Sequence, residues 1–398
     1  MLNVAFYFQV HQPARLRKYL FFDIGKKRNY YDDTVNRTIL QQVVDNSYLP
    51  ANEMFQQLVD KYGDRVKLNY ILSGTVLDQM ERYSPRTLES FQQLFQTGQA
   101  ELLGTTYSQS LSFLQDEKVF SMELEQYAAK AKELFNQAPK VYANTCLLYS
   151  DQAAKVLTDH DYEGVLTESP GIPSNDVEVN RVYGSKASSS LKILLRHPHL
   201  SDDLSLRFSN RNWDHWPLSP RTYMSWLKKL GKKDKTLNLW MDYGAIGEHQ
   251  NKDTGIFEFM EELFTALAEE QSFKLSTASE LIGLSKKPKS LAINSVVSCV
   301  DDRTLSPWLE NDMQQEAYDT LYAIHPKIEM LSNSSLLKDW SYLQGSDHFY
   351  YMSTKYENEH KKFSPYASPY DAFINYMNVL ADFTLRVEKE LKRPKAKV

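Results

Sequence analysis

The sequence predicts an α/β fold, a parallel (β/α) barrel of about seven strand–helix units followed by a mainly helical C-terminal domain. Strand-like segments alternate with helical segments through the first part of the chain, which is the order expected of a parallel barrel. The basic, proline-broken segment SKKPKS at 285–290 then separates this part from a mostly helical remainder. We therefore expect a barrel domain over 1–285 and a helical domain over 286–398.

The strands are recognised by apolar residues that recur at every second position. In the first of them, Val4, Phe6, Phe8 and Val10 alternate with other residues up to the motif HQP. The same strand-then-helix pattern returns in six later segments, VKLNYILSG, AELLGTTY, KVYANTCLLY, GVLTE, LKILLRH and LNLWMD. Short polar loops at the strand ends carry the distinctive residues, which is typical of a barrel mouth.

The segment 237–260, LNLWMDYGAIGEHQNKDTGIFEFM, combines a strand, a turn and a helix. Its helical spacing starts at Ile256, and Asp253 or Thr254 is expected to cap the helix. Asp242 therefore lies at the carboxyl end of a strand, where parallel α/β folds carry catalytic residues. A single strand-end Asp more often only caps its loop, so its role depends on the rest of the chain.

The composition argues against a nucleic-acid-binding protein, a membrane protein and a disulfide-rich protein. The 398 residues carry a net charge of -5, which gives no bulk attraction to nucleic acid or to an anionic membrane. No stretch of 18 unbroken apolar residues and no signal peptide are recognisable, and the two cysteines, Cys146 and Cys299, form no disulfide framework. We expect a cytoplasmic protein. Aromatic residues reach 13%, and Tyr and Trp rings are surfaces on which sugars stack.

Common catalytic motifs are missing from the sequence. It contains no G-x-S-x-G elbow, no phosphate-binding G-x-x-x-x-G-K-[ST] loop and no zinc-spaced cluster of Cys and His. We expect neither a metal nor a cofactor.

Six segments, in the order HQPARLRKYLFFDIG, AELLGTTYSQSL, NTCLLYSD, MDYGAIGEHQNKDTGIFEF, SCVDDRTLSPWLENDMQQEA and SDHFYYMSTK, resemble glycoside hydrolase family 57. The similarity covers nearly the whole chain and is greatest to the α-amylase branch. This resemblance implies an incomplete, seven-stranded TIM-like barrel with a helical domain that closes over the barrel mouth. It also implies an α-glucan or maltooligosaccharide substrate and a retaining mechanism that uses two carboxylates and no metal.

A retaining mechanism needs an acid/base and a nucleophilic carboxylate roughly 5–5.5 Å apart. The resemblance implies that Asp242 is the acid/base. The family's nucleophile, the Glu of N-T-E-L-I-Y, matches Cys146 in NTCLLY, so this carboxylate is absent. At the same site Thr105 stands for a Glu, Gln109 for a His and Cys299 for a Trp.

Other site positions keep the family's residues. With Gln109 and Cys299, the resemblance implies substrate contacts for His11, Tyr243, Asp301, Trp308, Asp347 and His348. The substitutions are thus concentrated around the reacting bond, while the surrounding frame is retained.

These substitutions favour an α-amylase-like protein that has lost retaining hydrolysis and binds α-glucan weakly. Cys146 is then a small thiol in the space of a Glu, since a thiolate nucleophile would need nearby positive charge and Asp242 would oppose it. A disulfide between Cys146 and Cys299 is conceivable, but a reducing compartment argues against it.

Two alternatives remain open at this point. The first is an active α-amylase or 4-α-glucanotransferase whose nucleophile comes from elsewhere, with Glu168 as a candidate. The second is a polysaccharide deacetylase-like barrel, which would need an Asp-His-His metal triad whose paired Asp is lacking here.

Overall fold

The computed structural model describes residues 1–27, 29–169, 177–230, 235–300, 302–355 and 364–392. Seven parallel strands form the centre of the fold. Their bounds are β1 Leu2–Val10, β2 Leu68–Leu72, β3 Ala100–Leu102, β4 Val141–Tyr142, β5 Gly164–Thr167, β7 Lys192–Leu195 and β8 Thr236–Asp242.

The seven strands close into a ring. Strand β1 pairs in parallel with β8 and with β2, β2 pairs with β3, and β5 pairs with both β4 and β7. Single parallel bridges complete the ring, from Gly104 to Tyr142 between β3 and β4 and from Arg196 to Asn238 between β7 and β8. The predicted (β/α) barrel of seven strands, one fewer than in a TIM barrel, is therefore confirmed.

Five further short strands were not predicted. They are β6 Val182–Ser185, β9 Ile246–Gly247, β10 Gln250–Asn251, β11 Phe273–Leu275 and β12 Ser290–Leu291. Strand β6 runs antiparallel to β7 and parallel to β12, while β11 pairs in parallel with the first residues of β1. The sheet thus extends beyond the ring at β6 and β12.

Helices connect the strands on the outside of the ring. Their bounds are α1 Asp33–Val43, α2 Leu49–Tyr62, α3 Gly74–Tyr83, α4 Pro85–Gln96, α5 Glu117–Phe135, α6 Ala154–Asp159, α7 Pro198–Ser205, α8 Pro220–Lys229, α9 Ile256–Glu269 and α10 Ala278–Gly283. Six more follow, α11 Ser306–Leu309, α12 Asp312–Tyr322, α13 His325–Ile328, α14 Ser334–Leu343, α15 Ser346–Tyr350 and α16 Pro369–Leu391. The expected helical character of the C-terminal region is confirmed.

The helix α9 begins at a different residue from the one expected from the sequence. The N-cap of α9 is Gly255, not Asp253 or Thr254, and its backbone is left-handed with φ 78°. Glycine reaches this conformation without a steric penalty. The Thr254 hydroxyl instead donates a hydrogen bond to the Asn251 carbonyl at 2.7 Å.

The buried apolar residues group into three clusters. One fills the inside of the barrel, a second lies between the ring and α2, α4 and α9, and a third joins the outer face of β4, β5 and β7 to α12, α14 and α16. The C-terminal region also reaches the carboxyl end of the barrel, because the Ser346 amide donates to the Gln109 carbonyl at 3.3 Å. A division into domains near residue 285 stays a prediction. Among the described residues, no helix combines the length and the apolar character that crossing a membrane requires.

Candidate active site at the barrel mouth

Asp242 is the last residue of β8 and stands at the carboxyl end of the barrel. Leu237, Leu239 and Met241 belong to the cluster between the ring and its helices, while the alternate residue Trp240 packs against the cluster inside the barrel. Because side chains alternate along a strand, Asp242 shares the inward direction of Trp240. Its side chain is 46% exposed, so it is open to solvent at the barrel mouth.

The carboxylate of Asp242 has two close polar neighbours. The Gly244 amide donates a hydrogen bond to its Oδ1 at 2.7 Å, and Nε2 of His249 lies 3.5 Å from the same oxygen. Burial alone would lower the pKa of His249, but the hydrogen bond and the charge of Asp242 outweigh it and raise that pKa. This pair can hold a proton at the barrel mouth.

Cys146 occupies a tight turn just after β4, at the same end of the barrel. Its backbone is left-handed, with φ 42°, and its carbonyl oxygen accepts a hydrogen bond from the Cys299 amide at 2.8 Å. Both cysteines are free. Interaction with the Cys146 thiol, and then burial, raise the pKa of Cys299 well above its usual range. Cys299 is therefore a neutral thiol at physiological pH, and a neutral thiol is a poor nucleophile.

Glu168 follows β5 and is held in a buried ion pair. Its side chain is 1% exposed, Arg196 Nη1 donates to it at 3.0 Å, and Arg303 Nη1 lies 3.8 Å away. The Ser169 amide also donates to Glu168, at 2.8 Å. Burial raises the pKa of Glu168 even though Arg196 opposes this shift. The Arg196 guanidinium in turn lies 5.8 Å from the ring centroid of Trp240.

Gln109 takes part in a chain of hydrogen bonds inside the mouth. Gln9 Nε2 donates to Gln109 Oε1 at 2.7 Å, and Gln109 Nε2 donates to the Thr105 hydroxyl at 2.8 Å. Gln9 lies beside Asp242 in the pairing of β1 with β8. Both substituted positions, 105 and 109, are thus bonded to each other and buried.

His11 joins the end of β1 to the C-terminal region. Its Nδ1 lies 2.8 Å from the Ser73 hydroxyl and its Nε2 lies 2.8 Å from Asp347 Oδ2. Burial would raise the pKa of Asp347, but the charge and hydrogen bond of His11 outweigh it and lower that pKa. The next residue, His348, is buried, which lowers its pKa to about 4, and its Nε2 lies 3.2 Å from the Tyr342 carbonyl.

Two predicted substrate contacts have a different environment from the one expected. Tyr243 has 0% exposure, packs against Phe8 and Phe55 outside the ring, and donates to Asn52 Oδ1 at 2.6 Å. Trp308 is 3% exposed and belongs to the cluster with the C-terminal helices. Neither ring offers a face to a bound sugar in this structure. Asp301 lies outside the described residues.

Three residues of the mouth were missed from the sequence, namely Ser73, Arg196 and Trp240. The signal for Trp240 was available, because it has the same parity along β8 as Asp242. Arg196 is the first residue after β7. Nothing in the sequence near Arg196 indicates that it pairs with Glu168. Within the described part of the chain, no group of three or more His, Cys, Asp or Glu side chains is arranged to hold a metal ion.

The family of this chain is shown by its match to a family sequence model. The model of glycosyl hydrolase family 57 matches residues 5–294, well over half of the chain. This chain belongs to glycosyl hydrolase family 57. A Methanocaldococcus jannaschii protein named "Putative alpha-amylase" is 32% identical over 410 residues, covering 98% of this chain and 86% of that protein.

Two solved structures share the fold. A GH57 branching enzyme from Thermococcus kodakaraensis has a TM-score of 0.69 at 11% identity, covering 90% of this chain and 87% of that one. The 4-alpha-glucanotransferase from Thermococcus litoralis has a TM-score of 0.57 at 17% identity over 82% of this chain. This family 57 chain spans only 45% of the glucanotransferase.

Proposed function

We propose that this family 57 protein binds α-glucan at the barrel mouth and does not hydrolyse it at a useful rate. The observation that carries the proposal is the residue at the nucleophile position, Cys146. Cys146 stands in a left-handed turn, its carbonyl oxygen accepts a hydrogen bond from the Cys299 amide, and the pKa of the Cys299 thiol beside it is raised. The covalent step of a retaining mechanism needs a carboxylate here.

Glu168 is a poor substitute for the missing nucleophile. A nucleophilic carboxylate must approach the anomeric carbon, and Glu168 is almost fully buried with Arg196 on one oxygen and the Ser169 amide on the other. Freeing it would break its buried ion pair with Arg196, which costs several kcal/mol and would leave Arg196 with Asp202 alone. We therefore propose that Glu168 stabilises the barrel through its ion pair with Arg196.

Binding of α-glucan is supported by what the mouth retains. Asp242 and His249 are both partly exposed, and the bonded pair of His11 and Asp347 keeps the family's residues. The named relatives include an alpha-amylase, a branching enzyme and a 4-alpha-glucanotransferase, whose shared substrate class is α-glucan. Because Cys299 replaces a stacking Trp, we expect weak binding, about -4 to -6 kcal/mol for maltoheptaose.

The proposal is tested by calorimetry with maltoheptaose, followed by chromatography of the same mixture after prolonged incubation. We expect measurable heat and an unchanged oligosaccharide. The variant Asp242→Asn should bind about equally well, since the amide keeps the size of the carboxylate. A flat titration at millimolar sugar would contradict the binding half of the proposal, and shortened oligosaccharides that Asp242→Asn abolishes would contradict the other half.

One observation favours the alternative of an active α-amylase or 4-α-glucanotransferase. Asp242 has a partly exposed carboxylate and a histidine partner, as a general acid/base requires. The same chromatography distinguishes the products, since a transferase would also make longer chains. The polysaccharide deacetylase alternative finds no support in the described residues. We also propose a cytoplasmic location, supported by the two free cysteines.

A further inference from the structure

A basic cavity lies at the end of the barrel opposite the mouth. It has a volume of about 350 Å³, and its lining includes Lys186, Lys192, Lys286, Lys287, Ser185 and Ser189. Lys192 is the first residue of β7, and Ser185 ends the antiparallel strand β6 beside it. The cavity therefore lies at the amino end of the parallel strands, whereas Asp242 lies at the carboxyl end of β8.

The walls of the cavity are fixed by main-chain hydrogen bonds. The Ser185 amide donates to the Leu191 carbonyl at 2.8 Å, and the Lys186 amide donates to the Leu291 carbonyl at 2.9 Å. The Ser185 hydroxyl also accepts from the Ala187 amide at 3.1 Å, which shapes the loop between β6 and β7. Lys192 thus lies in β7, Lys186 directly follows β6, and Lys286 and Lys287 lie in the loop that leads to β12.

The charge of this cavity is uncompensated. No Asp or Glu is among its lining residues, and none of its four lysines forms an ion pair with a residue in the described ranges. A second cavity of about 350 Å³ gives the contrast, because it is lined by Glu117, Glu125, Asp159 and Glu329 together with Lys118. There Lys118 pairs with Glu329 at 3.2 Å. Since the whole chain has a net charge of -5, the basic cavity is a local feature.

We propose that the basic cavity binds a small phosphate-bearing ligand. Four lysines lining one space favour an anion with more than one charge, and a phosphate group carries about -1.5 to -2 charges and three strong acceptor oxygens. The Ser185 and Ser189 hydroxyls provide further hydrogen-bonding groups. The volume corresponds to the lower end of small-molecule sites, which suits a compact phosphate compound rather than a folded partner. This proposal is independent of the one made for the mouth.

The test is calorimetry at low salt on the full chain with pyrophosphate, inorganic phosphate, glucose 6-phosphate and glucose. We expect pyrophosphate to bind with a Kd on the order of 0.1–1 mM. Its affinity should fall several-fold between roughly 50 and 200 mM NaCl, because exposed charges are screened. Glucose 6-phosphate should bind, and saturating maltoheptaose should not displace it. If maltoheptaose abolishes phosphate binding, the anion binds at the barrel mouth and the proposal is overturned.

Two double variants each remove two positive charges, one pair at the basic cavity and one pair at the acidic cavity. Lys286→Gln with Lys287→Gln should weaken pyrophosphate binding about tenfold or more, which corresponds to about 1.4 kcal/mol. Lys118→Gln with Lys155→Gln removes two lysines beside the acidic cavity and should leave binding unchanged. Equal effects of the two pairs, or no heat from any phosphate probe at millimolar concentration, would overturn the proposal. So would duplex DNA that binds more tightly than pyrophosphate and competes with it, since the lysines would then form a nucleic-acid surface.

Discussion

Glu123 is a fully buried carboxyl group whose ionisation should make the stability of this protein depend on pH. It lies in α5, and it accepts hydrogen bonds from the Ser108 amide and the Ser341 hydroxyl, both at 3.0 Å. These partners belong to the loop after β3 and to α14, so Glu123 joins the barrel mouth to the C-terminal helices. Burial, opposed by these hydrogen bonds, raises the pKa of Glu123 to about 7 from an ordinary value of 4.5.

The size of the effect follows from this shift. Because the pKa is raised in the folded state, the folded protein holds the proton more tightly than the unfolded chain. The stability due to the protonated acid is complete below about pH 4.5 and is lost as the pH rises through about 7. One pKa unit corresponds to 1.36 kcal/mol, so the full loss is about 3 kcal/mol.

The assay compares Glu123→Gln with the unmodified protein by chemical denaturation at about pH 5 and pH 8.5. Glutamine resembles the protonated acid, so its stability relative to the unmodified protein should rise by about 3 kcal/mol between these pH values. Other titrating groups cancel in this difference. The control Glu125→Gln alters an exposed acid on the same helix. A difference for Glu123→Gln that stays constant with pH, or that changes no more than in this control, would refute the reasoning.

Three further predictions concern single sites. Gly247→Ala should lower the free energy of unfolding by about 2 kcal/mol or more, because the new Cβ would lie 2.0 Å from the Asn46 carbonyl oxygen at a φ of 105°; an unchanged melting temperature would contradict this. Arg196→Met should cost about 3–5 kcal/mol by removing the nearest cation from the buried carboxylate of Glu168, and adding Glu168→Gln should recover part of the loss in the same denaturation assay. Cys146→Glu alone should restore almost no hydrolysis of an activated maltooligosaccharide, since misplacement of the reacting groups by itself costs about a hundredfold. Measurable turnover, abolished by Asp242→Asn, should need the same change combined with Thr105→Glu, Gln109→His and Cys299→Trp.

The barrel could be predicted from the sequence because its longest strands carry their own signal, and the short ring strands β3 and β4 lie within the longer strand-like segments AELLGTTY and KVYANTCLLY. In β1 and β8, apolar residues alternate along strands of nine and seven residues. The signal for each of these strands therefore lies within the strand itself. Strands such as β11 and β12 have only three and two residues, which is too short for a period to be recognised. Their pairing is decided by neighbours far away in the sequence.

The site was predicted less completely, for a physical reason. Asp242 and Cys146 were found through sequence motifs, and the alternation in β8 would also have indicated Trp240 as inward and Tyr243 as outward. Hydrogen-bond partners carry no such signal. His11 meets Asp347 across 336 residues, and only the packing of α15 on the barrel brings the two together.

The central claim is that the position of Cys146 leaves the barrel mouth without a nucleophile. The most direct measurement is the initial rate of reducing-end release from soluble starch by the unmodified protein and by Asp242→Asn, in matched preparations. We expect the two rates to be equal and no higher than that of a blank without protein. Release of maltose by the unmodified protein at tens of turnovers per second, lost in Asp242→Asn, would contradict this expectation and require another nucleophile.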